Sequence, residues 1–136
     1  MYLQQVRLCD IHIRRLTEDL ERTRDMTTQI TARLNVAPVS GSHEQDKLGG
    51  AVAKIVDLEK DINDAIEEYV SIKNDVIKTL GKVEDANQLN VLYNRYVLGR
   101  TWEEIACDMG YSYYGVCKLH GKALQTVEKL LENSQS

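Results

Sequence analysis

Thr101-Trp-Glu-Glu-Ile-Ala-Cys-Asp-Met-Gly-Tyr-Ser-Tyr-Tyr-Gly-Val-Cys-Lys-Leu-His120 has the spacing that two short helices need to cross at a tight turn. Ile105 and Met109 lie one helical turn apart, and Val116 and Leu119 are three residues apart, so each pair falls on one face. Ala106 stands where the two helices come closest, because a larger side chain there pushes them apart. Gly110 follows the first helix at the position that favours a left-handed backbone. Thr101 and Glu104 form a Thr-x-x-Glu capping box for the first helix, and Ser112 caps the second. A small residue, a glycine four positions on and a β-branched residue six beyond that together predict a helix-turn-helix, whose second helix is offered to the major groove of DNA.

Upstream, Asp85 and Gln88 read as a further capping box. They open a helix with Leu89, Leu92, Tyr93, Tyr96 and Val97 on its inner side and Gly99 at its end. The last helix is expected from about residue 113 to residue 131, so residues 85–136 make a compact three-helix domain.

The N-terminal two-thirds has a different pattern. Val6, Cys9, Ile13, Leu16, Leu20, Thr23, Thr27, Ile30 and Leu34 follow steps of three and four, a heptad seam. The charges between them, Arg14, Arg15, Glu18, Asp19, Glu21, Arg22, Arg24 and Asp25, read as a solvated face. Residues 35–43 hold the only proline and a Ser-Gly-Ser, and so predict the main loop. A second seam follows through Leu48, Ala51, Ile55, Leu58, Ile62, Ala65, Tyr69, Ile72, Val76, Thr79 and Val83, with Gly49 and Gly50 weakening its start. Two helices of roughly 33 and 36 residues, each about 50 Å long, are expected to pair as an antiparallel coiled-coil hairpin over residues 1–84. Val52, Val56, Ile66, Val70, Ile77 and Leu80 form an additional apolar stripe on the second helix that one partner helix does not cover. A second copy packing as a four-helix bundle is the economical way to bury it. The competing cover is the C-terminal domain of the same chain.

Composition agrees with an all-α protein. There is no Phe, one Pro, 6% aromatic residues and 28% charged residues. Residues 1–86 hold 12 Lys and Arg against 16 Asp and Glu, whereas residues 87–136 hold five of each. A DNA-binding domain with no excess positive charge binds weakly as a monomer, since phosphate neutralisation supplies much of the affinity. Cys9, Cys107 and Cys117 are odd in number and lack paired spacing. With no signal peptide and no apolar run of membrane-spanning length in view, they point to a reducing cytoplasm and no membrane partner. His12, His43 and His120 are scattered, ligand spacings such as Cys-x-x-Cys are missing, and no glycine-rich phosphate loop or nucleophile elbow appears. No metal, cofactor or catalysis is therefore expected.

Tyr96-Val-Leu-Gly-Arg-Thr-Trp-Glu-Glu-Ile-Ala, Met109-Gly-Tyr-Ser, Val116 and Gly121-Lys-Ala-Leu together resemble the region 4 helix-turn-helix of bacterial primary sigma factors, over residues 85–131. Thr-Trp-Glu-Glu-Ile-Ala and Leu-His-Gly-Lys-Ala-Leu behind a long helical segment more closely resemble a phage- and prophage-encoded family of sigma-region-4-like proteins, related to ArpU- and RinA-type late-gene regulators. That resemblance extends to Asp46-Lys-Leu-Gly-Gly-Ala-Val-Ala-Lys-Ile-Val-Asp-Leu-Glu. It implies that the last helix reads bases through Tyr113, Tyr114, Cys117 and Lys118, with Lys122 near a phosphate. Arg100, the amide groups at the Thr101 helix start and Ser112 complete the implied contact set. Trp102 is expected in the core. The chain departs from the sigma pattern where Tyr113, Gly115 and Cys117 occupy places usually rich in arginine, so a sigma target sequence does not carry over. Nothing matches the segments with which sigma factors melt DNA. The expectation is a phage-derived transcriptional regulator, homodimeric, acting on double-stranded DNA and a candidate to touch RNA polymerase. A DNA-packaging adaptor like a terminase small subunit, and a sigma-like module that binds only protein, are the alternatives.

Overall fold

The computed structural model describes residues 1–36 and 41–135. Every regular element among them is helical, as the composition and the two seams predict. Helix α1 spans Gln4–Val36, α2 Gly41–Leu80, α3 Ala86–Leu92, α4 Trp102–Met109 and α5 Tyr113–Gln135, and α3 runs on into a π-helical turn at Tyr93–Val97. No helix among the described residues is long and apolar enough to cross a membrane.

By packing, the chain divides into two compact units, Cys9–Glu68 and Met1–Leu8 with Tyr69–Ser136. The sequence-based division at residue 84 follows helix continuity, whereas these units follow which segments pack together. The first turns of α1 and the last turns of α2 belong with the C-terminal helices because Leu3, Val6, Val76, Leu80 and Val83 share one buried cluster with Val91, Leu92, Ile105, Val116 and Ala123.

In the unit Cys9–Glu68, α1 and α2 pair through the expected seams. Leu20, Thr23, Ile30, Ala51, Leu58 and Ala65 are buried, with Ile13, Leu16, Ile55 and Ile62 half-buried beside them. Ion pairs join Arg33 to Glu44 and Arg24 to Glu59, so residue numbers run in opposite senses on the two helices. Asp19, placed on a solvated face by the sequence, meets Lys54 at 3.4 Å. Exposed pairs of this kind contribute at most about 1 kcal/mol each. Thr23 tolerates burial because its hydroxyl donates to the Asp19 carbonyl at 2.8 Å, which satisfies a polar group otherwise costly to bury.

The predicted loop at residues 35–43 falls partly on residues 37–40, which lie outside the described residues. Gly41, Ser42 and His43 already belong to α2, so the second helix begins earlier than its seam suggests. Gly49 and Gly50 consequently sit inside the helix, flanked by eight helical residues on the N-terminal side, rather than in a fraying first turn.

The second unit is built on the C-terminal helices. The Tyr2 hydroxyl donates to Asp75 Oδ2 and shares a hydrogen bond with Thr79 Oγ1 at 3.0 Å, fastening the chain's first turn to the end of α2. Asp85 caps α3 by accepting the Gln88 amide at 3.0 Å. The reciprocal half of the expected box is absent, because Gln88 Oε1 instead accepts the Thr126 hydroxyl of α5 at 2.7 Å. The π turn is the main local departure from expectation. Leu98 N donates back five residues to the Tyr93 carbonyl, and the buried Asn94 side chain donates to the carbonyl of Asn90 at 2.8 Å. Gly99 then ends the segment at φ 69°.

Candidate nucleic-acid interface

Helix α4 begins where the sequence places its cap. Thr101 Oγ1 accepts the Glu104 amide at 3.2 Å, and the Glu104 carboxylate accepts the Thr101 amide at 3.3 Å. It ends at Gly110, whose φ of 68° is left-handed, and the Tyr111 amide donates to the Ala106 carbonyl at 2.9 Å. Helix α5 starts from Ser112, whose hydroxyl accepts the Gly115 amide at 3.0 Å. A side chain at Gly115 would bring its Cβ to 3.2 Å from that hydroxyl. Glycine here, poor as it is for helix propensity, therefore keeps the cap uncrowded. Ile105, Ala106 and Val116 are buried, with Met109 and Leu119 half-buried around them.

This packing leaves one side of α5 free. Tyr113 is 54% exposed and Tyr114 75% exposed, so neither ring folds back onto α4 to fill the core. Cys117, Lys118 and Lys122 are exposed as well, and neither lysine enters an ion pair among the described residues. The five candidates from α5 thus share its first two and a half turns and face solvent, with two positive charges and no acidic residue among them. Tyr111, 38% exposed, lies beside them at the turn; its place between the two helices carried no periodic signal.

The other three expected contacts are differently placed. The side chains of Thr101 and Ser112 are occupied as caps. Arg100 is held by its own chain: Nη1 donates to Asn94 Oδ1 at 2.9 Å and forms an ion pair with Asp108. These contacts tie the π turn to α4.

Behind the exposed face lies a cluster that the sequence left scattered. His120 of α5 shares a 2.7 Å hydrogen bond with the Tyr96 hydroxyl and meets the Trp102 ring edge-on, with centroids 4.6 Å apart. The Arg95 guanidinium lies over the Trp102 ring, 4.4 Å from its centroid, and donates to the Arg100 carbonyl at 3.0 Å. Burial, and secondly the charge of Arg95, push the His120 imidazole below the usual histidine range. Burial raises the Tyr96 phenol. Trp102 is half-buried, in keeping with the core role expected of it.

Of the residues expected to meet a second copy, Val52, Val56, Ile66, Val70 and Ile77 are exposed by 38% to 60%. Leu80 is not: at 1% exposure it is buried in the unit that holds the C-terminal helices, so it leaves the stripe. Comparisons of the chain with protein-family models, with curated proteins and with solved structures returned no match.

Proposed function

We propose that the chain is a DNA-binding transcriptional regulator of phage or prophage origin, in which α4, the Gly110 turn and α5 act as a sigma-region-4-like helix-turn-helix. On this reading α1 and α2 form an antiparallel coiled-coil hairpin through which two copies pair, with Val52, Val56, Ile66, Val70 and Ile77 as the covered residues. The observation that carries it is the free face of α5: both tyrosines and both lysines project from a helix start whose cap, turn and buried wedge are all in place. Lys118 supplies a donor for guanine O6 and N7, Lys122 a phosphate contact, and the tyrosine rings apolar surface for thymine methyl groups. Two copies offset the even charge balance of each domain, because two half-sites are held at once.

Fluorescence anisotropy with promoter fragments from the host replicon, at two salt concentrations, tests the reading. Affinity that falls as salt rises, and that Lys118→Ala weakens, supports it; no binding at low salt rejects it. The charge balance of residues 87–136 favours one second reading, a module of this fold that docks on RNA polymerase or another protein and leaves DNA alone. Capture of polymerase without DNA affinity would establish that reading instead.

A further inference from the structure

Two helices alone make a thin core. In the unit Cys9–Glu68, the buried residues Leu20, Thr23, Ile30, Ala51, Leu58 and Ala65 include two alanines and a threonine. A unit of this size ordinarily needs more apolar burial than that to hold together. Meanwhile Val52, Val56, Glu59, Asn63 and Ile66 follow steps of four and three along α2, a second heptad line beside the α1 seam, and all five are exposed. We infer that a second copy covers this line with its own α2 running antiparallel, so that Lys60 of each copy faces Glu67 of the other. The inference rests on the pairing of two copies proposed above and adds the direction in which they meet.

Charge selects the direction. Lys60 and Glu67 sit seven residues apart on one flank of the line, both exposed and neither in an ion pair among the described residues. When the helices run antiparallel about a centre between Asn63 and Ile66, a two-fold axis sets Lys60 opposite Glu67 twice over, and an Asn63–Ile66 contact forms on each side of the axis. A parallel pair sets Glu59 against its own copy and lays Lys60 and Glu67 beside the apolar Ile55 and Ile62. Opposite charges at such flanking positions decide partner orientation in paired helices, and like charges forbid it. In the antiparallel pair Glu59 keeps its 2.9 Å bond to Arg24 of its own chain.

The test uses the full chain with Cys9, Cys107 and Cys117 changed to serine. Mass in solution is measured first, then disulfide formation in chains carrying Lys60→Cys, Glu67→Cys or Val52→Cys. The expected result is a dimer mass, and a covalent dimer when Lys60→Cys and Glu67→Cys chains are mixed but not from either alone. In parallel, Lys60→Glu should raise the dimer dissociation constant about tenfold, and adding Glu67→Lys should restore it. A covalent dimer from Val52→Cys alone overturns the antiparallel direction while leaving the pairing intact, as does a dimer mass with no link in the mixed sample. A monomer mass overturns the pairing itself, and the direction with it.

Discussion

Three glycines in the α4–α5 region should respond to alanine in three different ways. At Gly110 the backbone sits at φ 68°, where a Cβ costs about 1–2 kcal/mol, so Gly110→Ala should destabilise by that amount although nothing lies within 4 Å of the added atom. Gly121 lies inside α5 with equally open space, so Gly121→Ala should stabilise by about 1 kcal/mol, the difference in helix propensity. Gly115→Ala gains the same propensity, but its Cβ comes to 3.2 Å from the Ser112 hydroxyl that caps the helix. Losing that cap costs about 1 kcal/mol, and the sum is close to zero. Urea unfolding followed by fluorescence of Trp102, the single tryptophan, reads the unit concerned. A midpoint unchanged in Gly110→Ala, or lowered as much in Gly121→Ala, would refute the assignment of Gly110 as the left-handed joint.

Lys118→Ala should weaken DNA binding by about 1–3 kcal/mol if it touches a base, with unaltered circular dichroism, whereas Lys122→Ala should mainly reduce the salt slope by about one; anisotropy titrations separate the two. Because the His120 imidazole is held below its ordinary value of 6.5, the unfolded chain binds its proton more readily. Stability of this unit should therefore fall as pH drops below about 6.5 and level off below the folded value, and His120→Gln should flatten that part of a pH series of unfolding midpoints. Gly50→Ala should raise the stability of the unit Cys9–Glu68 by about 1 kcal/mol, since Gly50 lies within α2 with nothing near the new Cβ; hydrogen exchange at α2 amides would show the gain.

Features dictated locally were legible in the sequence. The Thr101–Glu104 box, the Gly110 turn, the Ser112 cap and the two seams each answer to a steric or hydrogen-bonding demand within a few residues, and all are present in the structure. What escaped was decided by distant neighbours. Gln88 has the right spacing to complete a box with Asp85, yet its side-chain oxygen accepts the Thr126 hydroxyl of α5 instead. Arg100 stands at the foot of α4 where a phosphate contact is plausible, but Asp108 and Asn94 are nearer. Leu80 continues the apolar stripe by period and is buried instead, because the C-terminal helices close over the end of α2. For the candidate site, the resemblance named the α5 residues without fixing their exposure, which the structure supplies, and the Tyr96–Trp102–His120 cluster behind them left no sequence signal: those three residues are spread over 25 positions of sequence and meet only through folding.

The π turn at Tyr93–Val97 has a consequence for chain length. A wider turn accommodates one residue more than an α-helix needs over the same rise, and such bulges persist where a lengthened helix keeps its ends fixed. Deleting one residue between Tyr93 and Val97 should therefore relax the bulge to regular α-helix and keep Gly99 at the corner, whereas a deletion within the uniformly wound α5 would turn every later side chain by about 100°. At this turn the protein has slack for a shorter gene.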